Sequence, residues 1–315
     1  MLTLSVGTLL EITGGDLLAG PSVTMVNGCA IDSRQIQPGG AFVAFIGEHA
    51  DGHAFVGDAL ERGARALIVT RDDVALRSAL ETAGRPEVAL ILVDDALGAL
   101  EALAAWHRGR LMCPVIGITG STGKTTTKDF LRSILAMRLR VVATEGNRNN
   151  ELGVPLTIMD AGTETEALIV EMAMRGIGQI DHLCSIARPT AGLVTNVGVS
   201  HIEVLGSEEA IAAAKGELVR AVPADGRVFL NGDDAWSDML AAGTDAAVMR
   251  YGLGPAADVS ALDVTVSDDG HPASADQCLT GHTALPVRAQ DVVEHRIGDA
   301  VGHLVGAAPG HGLGG

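Results

Sequence analysis

From residue 115 onward, short apolar runs alternate with segments in which apolar residues recur at the spacing of a helix. This alternation is the feature that most limits the fold. Helices are predicted over 124–139, up to residue 183 and over 207–222, the last starting at the good N-cap residue Ser207. The predicted strands are almost uninterruptedly apolar, and they read VIGIT, RVVAT, ALIVEMA, AGLVTNV and RVFLN. Strands that alternate with helices and are apolar on both faces favour a mainly parallel sheet flanked by helices. We therefore predict an α/β fold.

The first part of the chain carries a shorter pattern of the same kind, in which apolar runs are broken by glycine. Its predicted elements are three strands at 41–46, 64–70 and 88–93 and a helix at 55–62. A helical stretch rich in Ala and Leu follows at 96–108, and it is interpreted as the passage between domains. A chain of 315 residues is long enough for two domains. We predict a small α/β domain over 1–95, a linker over 96–110 and a central domain over 111–251.

Beyond Tyr251 the composition changes. The last 64 residues contain no aromatic residue, hold half of the ten histidines and end in PGHGLGG. Such a segment could bury little apolar surface against the entropy cost of ordering it. We predict an atypical, poorly packed or disordered tail over 252–315, and the abrupt change suggests a truncated or frame-altered product.

Charge and hydropathy exclude several classes of protein. A formal net charge of -17 argues against nucleic-acid binding, which needs clustered Lys and Arg. No apolar run approaches the roughly 20 residues that span a bilayer, and the N-terminus has no basic signal region. We predict a cytoplasmic protein without membrane insertion, and we expect a monomer.

A glycine-rich turn, GSTGKTTTK, lies between the predicted strand VIGIT and the helix that follows it. This is the context of a phosphate-binding loop, in which backbone amides and the helix dipole attract phosphate oxygens. We predict that Lys124 bridges the β- and γ-phosphates and that Thr125 coordinates Mg²⁺. The strict pattern has glycine at position 118, where this chain has Ile118, with Gly117 and Gly120 nearby. The residues predicted to bind the phosphates are Gly120, Ser121, Thr122, Gly123, Lys124, Thr125 and Thr126.

Polar side chains follow two other predicted strands of the central domain. Glu171 ends ALIVEMA, and Asn196 followed by His201 ends GLVTNVG. Ligand sites in open α/β sheets lie at the carboxyl ends of strands, so Glu171 is a plausible second metal ligand. A lone exposed Glu or a structural His is the common alternative.

Lysine is rare in this chain. Only Lys124, Lys128 and Lys215 occur among 22 Lys and Arg residues. An ammonium is a compact charge whose pKa can be lowered, which some sites require and guanidinium cannot supply. Lys128 is interpreted as an ordinary helical residue, and Lys215 on a helix means little by itself.

Several ordered motifs together resemble the Mur ligase family over roughly the first 250 residues. The motifs that carry the resemblance are DSRQIQPGGAFVAFIGEHADGHAFVGDALERGA, GSTGKTTTK, EGNRNNELGVPLT, EMAMRGIGQI, TNVGVSHIEVLGSEEAIAAAKGEL and LNGDD. Within the family, GNRNNELGVPLT favours the branch that joins D-alanyl-D-alanine (D-Ala-D-Ala) to UDP-MurNAc-tripeptide in peptidoglycan synthesis.

The resemblance implies an ATP-dependent amide ligase that uses Mg²⁺. A substrate carboxylate would attack the γ-phosphate, and the amine of D-Ala-D-Ala would displace the acyl phosphate. By similarity, Lys124, His201 and Lys215 have catalytic roles, and Lys215 matches a lysine that the family carbamylates. The implied metal environment comprises Thr125, Glu171, His201 and Lys215, and the implied nucleotide contacts include Asn196 and Asn231. The implied substrate residues are Asp32, Ser33 and Arg34 at the UDP end and Asn147, Asn149 and Asn150 at the muramyl-peptide side.

The chain departs from the family pattern at three places. Ala173 stands where the family usually has Gly, and Gln179 replaces a common Glu. The family's adenine-contacting region and its third, closing domain are not visible after Tyr251.

Two kinds of alternative therefore stay open. One is another ligase of this build, such as a diaminopimelate- or lysine-adding enzyme or a folylpolyglutamate synthetase. The other is a nucleotide- or UDP-sugar-binding module without turnover.

Overall fold

The computed structural model describes residues 1–47, 50–198, 202–255, 257–266 and 272–279. They form two compact units. The N-terminal unit comprises Met1–Met112 together with Thr144–Thr165, and the central unit comprises Cys113–Ala143 together with the described residues from Glu166 onward. Elements are numbered along the whole chain.

The N-terminal unit contains seven strands and five helices among its described residues, together with the 3₁₀ turns Ser33–Gln35 and Gly52–Phe55. The strands are β1 (Thr3–Ser5), β2 (Asp16–Ala19), β3 (Met25–Asn27), β4 (Cys29–Ala30), β5 (Ala41–Val43), β6 (Ala66–Val69) and β7 (Ala89–Leu92). The helices are α1 (Val6–Thr13), α2 (Val56–Glu61), α3 (Val74–Ala83), α4 (Ala96–Arg108) and α6 (Gly153–Asp160).

The sheet of the N-terminal unit follows from its apolar runs. Five strands are ordered β2-β7-β6-β5-β4, with β4 to β7 parallel and β2 antiparallel at one edge. Phe42, Leu67 and Leu90 from three neighbouring strands are almost fully buried in its core. β1 and β3 form a separate antiparallel pair.

The structure groups the residues differently from the predicted domain boundaries. The helical stretch predicted at 96–108 is helix α4 (Ala96–Arg108), and its Leu100 and Leu103 are buried. The contacts of this segment, which was assigned to a linker over 96–110, place it in the N-terminal unit. Residues 144–165 also belong to this unit, although they follow the first strands of the central unit in sequence. Every residue of α6 except Asp160 is buried, because this short helix is apolar nearly all round.

The central unit contains eight strands and five helices among its described residues. The strands are β8 (Val115–Thr119), β9 (Val141–Ala143), β10 (Ala167–Glu171), β11 (Ala191–Val194), β12 (Arg227–Asn231), β13 (Ala247–Gly252), β14 (Val259–Val266) and β15 (Pro272–Leu279). The helices are α5 (Lys124–Leu135), α7 (Gln179–Ala187), α8 (Ile202–Leu205), α9 (Glu208–Ala221) and α10 (Ser237–Ala241).

The sheet of the central unit is ordered β15-β14-β13-β12-β11-β8-β10-β9. All neighbouring pairs from β9 to β14 are parallel, and only the β14–β15 pair is antiparallel. β8 and β10 are buried along their whole length, as their uninterrupted apolar sequences require. The predicted α/β fold with a mainly parallel, helix-flanked sheet is confirmed. Ser207 caps α9 by accepting a hydrogen bond from the Ala210 amide at 3.1 Å.

The expected end of regular structure at Tyr251 does not hold for the described residues that follow it. β14 pairs with β13 through Tyr251 and Val259, and β15 extends the sheet by one more strand. Within VSALDVTV the last five residues, LDVTV, alternate apolar and polar side chains, which is a strand pattern that the prediction of a poorly packed tail did not weigh. PASADQCL is rich in small residues and has no comparable pattern. The remainder of the predicted tail, from residue 280, lies outside the described residues.

Among the helices that the structure describes, none combines the length and apolarity needed to cross a membrane.

Candidate nucleotide-binding site

The glycine-rich turn of the central unit connects the buried strand β8 to helix α5. Gly120 has φ +148° and Gly123, the N-cap of α5, has φ +78°, both in the region that favours glycine. A Cβ on Gly120 would lie 1.8 Å from Thr195 Oγ1, whereas a Cβ on Gly123 would meet nothing within 4 Å. Gly120 is therefore required both by its backbone angle and by the close approach of the chain after β11.

The turn is held by a four-residue segment that follows β11, residues 195–198, which we call the bridge segment. Thr195 Oγ1 donates to Thr122 O at 2.6 Å, and Asn196 Oδ1 accepts from Thr122 N at 3.1 Å. Asn196 Nδ2 donates to Thr122 Oγ1 at 2.9 Å. Ser121 Oγ donates to Gly198 O at 3.0 Å and accepts from Gly198 N at 2.8 Å. The side chain of Asn196, predicted to contact nucleotide, is thus used in fixing the loop itself.

The side chain of Lys124 folds back over the turn. Its Nζ donates to Gly120 O at 2.8 Å, so the ammonium lies inside the curve of the loop at the N-terminus of α5. Backbone amides, the helix dipole and a point charge are thereby concentrated in one place, which is the arrangement that attracts a polyphosphate.

Thr125 and Glu171, both predicted to bind Mg²⁺, meet beside the loop. Thr125 Oγ1 donates to Glu171 Oε2 at 3.0 Å, and Glu171 is 1 % exposed at the carboxyl end of β10. In the parts of the chain that the structure describes, no three His, Cys, Asp or Glu residues cluster closely enough to hold a metal. Mg²⁺ commonly takes only one or two carboxylates and completes its octahedron with water and phosphate oxygens, so a hydroxyl beside one carboxylate fits it.

Lys215 is buried in helix α9 and is 2 % exposed. Burial, followed by repulsion from Lys124, lowers the pKa of Lys215 to about 8. Lys128, interpreted as ordinary, is also buried, and its Nζ lies 3.2 Å from Asp129 Oδ1.

Two side chains of the central unit order the loop between Glu171 and α7. Gln179 Oε1 accepts from Arg175 N at 2.5 Å and from Gly176 N at 3.2 Å. Both bonds need only an oxygen that accepts from backbone amides, which Gln and Glu side chains both supply. Gln179 can therefore stand where the family pattern has Glu. Glu217, which the sequence analysis did not single out, is 5 % exposed and accepts from Gly178 N at 2.6 Å and Asp181 N at 2.9 Å.

Three predicted residues of the central unit remain, namely Thr126, His201 and Asn231. His201 lies outside the described residues. Thr126 is exposed on the first turn of α5. Asn231 Oδ1 accepts from Asp233 N at 3.0 Å at the end of β12.

Asp233 and Asp234 were not predicted as site residues, although both belong to the LNGDD motif. Asp233 accepts from Leu253 N at 2.6 Å and Gly254 N at 2.8 Å, whereas Asp234 Oδ2 accepts from Val197 N at 2.6 Å. The sequence signal that could have identified them is the pair of adjacent acids shortly after strand β12.

In the N-terminal unit, the predicted UDP-contacting residues form one turn. Asp32 accepts from Arg34 N at 3.0 Å and forms a two-point ion pair with its guanidinium, which lowers the pKa of Asp32. Ser33 is buried, and its hydrogen bond lowers the pKa of Asp58.

The predicted muramyl-peptide residues lie just before α6. Asn150 Oδ1 accepts from Gly153 N at 3.0 Å, and Asn147 O accepts from Asn149 N at 2.8 Å. Arg148, which was not predicted, donates to Gln35 Oε1 and, at 3.4 Å, to Asp160 Oδ2. This arginine therefore links the 33–35 turn to the end of α6.

Comparison with known proteins agrees with this geometry. The Mur ligase middle domain matches residues 118–288, and the Mur ligase family catalytic domain matches residues 25–108. The chain belongs to the Mur ligase family. The match to the middle domain continues well past Tyr251, so the family resemblance is longer than the roughly 250 residues expected from the motifs.

Relatives and solved structures indicate which members of the Mur ligase family the chain is similar to. A UDP-N-acetylmuramoyl-tripeptide--D-alanyl-D-alanine ligase from Synechocystis is 45 % identical over 67 % of this chain and 44 % of its own length. MurF from Acinetobacter baumannii superposes with TM-score 0.77 at 28 % identity, covering 98 % of this chain and 66 % of that one. A MurF ligase from Thermotoga maritima, solved in complex with ADP, has TM-score 0.66 and 30 % identity over 80 % of this chain and 55 % of that one. The chain spans about half the length of the curated relatives it matches, at 44 % and 57 % for the first two.

Proposed function

We propose that this chain carries the UDP-substrate and ATP sites of a ligase that joins D-Ala-D-Ala to UDP-MurNAc-tripeptide. The observation that supports this most directly is the loop of the central unit, where Lys124 curls over Gly120 and Thr125 bonds Glu171. The substrates in this proposal are those of the UDP-N-acetylmuramoyl-tripeptide--D-alanyl-D-alanine ligases to which the chain is similar. We further propose that the chain is monomeric.

In this proposal the phosphates of ATP lie on the backbone amides of the glycine-rich turn. Lys124 leaves its carbonyl partner and neutralises charge between the β- and γ-phosphates. Thr125 and Glu171 would hold Mg²⁺, which would neutralise further phosphate charge. The predicted contribution of His201 belongs to the same proposal.

The reaction has two steps. The tripeptide's terminal carboxylate attacks the γ-phosphorus, and the bond between that phosphorus and the β-γ bridging oxygen breaks. ADP departs, and the tripeptide now carries an acyl phosphate. The amine of D-Ala-D-Ala then attacks the acyl carbon, loses a proton and expels inorganic phosphate. Asp32, Ser33 and Arg34 contact the UDP end, and Asn147, Asn149 and Asn150 line the muramyl-peptide side. Positioning and charge neutralisation carry most of such a transfer.

The test of the proposal is ADP release by this chain, measured with UDP-MurNAc-tripeptide and with or without D-Ala-D-Ala. A ligase releases ADP only with the tripeptide substrate and forms amide only when the dipeptide is added. Replacing the dipeptide with diaminopimelate or lysine tests the other amide ligases. Nucleotide binding without substrate-dependent ADP release would favour the binding module instead.

Lys215 is proposed to be carbamylated. A group with pKa about 8 is roughly a quarter neutral at pH 7.5, against about 0.1 % for a lysine in water. Only the neutral amine attacks CO₂, and the carbamate that forms offers anionic oxygens to a cation.

We expect ¹³C-labelled bicarbonate to give a carbamate carbon signal from Lys215 in the nuclear magnetic resonance spectrum of the protein, separate from any signal that the N-terminal amine gives. At constant dissolved CO₂ the signal should grow between pH 7 and pH 8, as the amine loses its proton. Lys215→Arg should abolish it, and Lys128→Arg, at the other buried lysine, should leave it. Persistence of this signal in Lys215→Arg would contradict the assignment.

A further inference from the structure

The bridge segment is held on two sides. One side carries the hydrogen bonds to Ser121 and Thr122 described above. On the other, Asp234 accepts from Val197 N, and the Tyr251 hydroxyl donates to Val194 O at 3.1 Å and Thr195 O at 3.2 Å. The position of the phosphate loop therefore depends on groups at the ends of β12 and β13 that do not touch the loop.

Asp234 is itself firmly placed. Its Oδ1 accepts from Trp236 N at 2.9 Å, and its backbone amide donates to Asn231 O at 3.2 Å. The carboxylate thus joins the turn after β12 to the middle of the bridge segment. A hydrogen bond from an amide to a charged acceptor is among the stronger ones in a folded protein.

We propose that Asp234 is a positioning residue for nucleotide binding, fixing the phosphate loop through Val197 and the bridge segment. This inference rests on the proposed function, since it assumes that the loop binds phosphate. It assigns Asp234 no contact with nucleotide or metal.

Asp233 provides a matched control on the same turn. Each of the two acids accepts hydrogen bonds from two backbone amides, but the partners of Asp233 are Leu253 and Gly254, which lie beyond β13 rather than on the bridge segment. Loss of either acid removes similar bonds, and only the loss of Asp234 releases the phosphate loop.

The test measures dissociation constants for a non-hydrolysable ATP analogue with an imido β,γ-bridge, in the presence of Mg²⁺. Asp234→Asn should weaken binding about 10-fold or more, because the amide NH₂ cannot accept from a second backbone N–H. Asp233→Asn should change it less than about 2-fold. Affinity for UDP-MurNAc-tripeptide should be unchanged in both variants, and thermal unfolding midpoints report how far each is destabilised.

A second variant keeps the test decisive if Asp234→Asn does not fold. Asp234→Ser retains a hydroxyl oxygen for the Trp236 amide two residues on but no second oxygen for Val197, and it should show the same loss of affinity. Wild-type affinity in either folded variant, or an equal loss in Asp233→Asn, would overturn the inference. If Lys124→Ala also binds the analogue normally, the proposed function fails instead.

Discussion

Lys124→Ala is expected to weaken binding of the imido ATP analogue about 100-fold, equal to about 2.7 kcal/mol. The ammonium lies at the centre of the loop, 2.8 Å from Gly120 O, where it adds a full charge to the loop amides. Bonds between charged groups and phosphate are worth roughly 1.5–3 kcal/mol each, and this lysine is expected to make more than one. Isothermal titration calorimetry on the full chain measures the loss directly.

Arg132→Ala is the matched control for net charge. Arg132 is exposed on the same helix, α5, and its removal changes the charge by the same amount. A loss of less than about 2-fold is expected, because exposed charges away from the ligand are screened by salt. Equal losses of analogue affinity in the two variants would show that Lys124 acts only through the net charge of the protein. Unchanged affinity in Lys124→Ala would remove the basis of the ligase proposal.

Gly120→Ala is expected to lower the free energy of unfolding by about 3–5 kcal/mol, the largest stability effect we expect in the loop. The new methyl would lie 1.8 Å from Thr195 Oγ1 and 3.2 Å from Asn196 N, at a φ of +148°. Relief requires Thr195 to turn away and lose its 2.6 Å bond to Thr122 O. Urea denaturation of the full chain measures the change.

Gly123→Ala, three residues away, separates steric overlap from backbone preference. Its φ is +78°, but a methyl there meets no atom within 4 Å. The expected cost is about 1–2 kcal/mol, from the left-handed backbone alone. The double variant Gly120→Ala, Thr195→Ala should lose less free energy of unfolding than the two single variants lose together, because the clashing hydroxyl is gone. Full additivity would show that the clash is not the cause.

The parallel sheet of the central unit could be predicted because β8 and β10, in its interior, are buried on both faces. Such strands are almost uninterruptedly apolar up to their last residue, and several of them that alternate with helical stretches favour a parallel sheet covered by helices. β14 and β15 could not be predicted in this way, since at the edge of the sheet small and polar residues suffice. The return of residues 144–165 to the N-terminal unit has no local signal, because an apolar helix such as α6 could serve either core.

The candidate site divides in the same manner. Lys124, Thr125 and Glu171 could be predicted because each follows a strand in a recognisable motif. The hydrogen-bond partners of Asp234 and Glu217 could not be predicted, because these backbone amides lie 37 and 36–39 residues away. The adjacent acids after β12 could draw attention to Asp234 but not to its role. A hydrogen bond between a carboxylate and a backbone amide far away in the chain has no characteristic sequence pattern. Only the folded structure therefore identifies the partner.

The order in which residues leave the ribosome matters for the N-terminal unit, because α6 belongs to it. Leu2 N donates to Met159 O, and His107 Nε2 donates to Ala161 O at 2.7 Å, so both ends of the first 112 residues are bonded to the later segment. During synthesis this core stays incomplete until about residue 165 has emerged, by which time β8, α5 and β9 have already been made. A fragment cut at residue 112 would expose the surface that α6 covers, so expression of the first unit alone calls for a longer or rejoined chain.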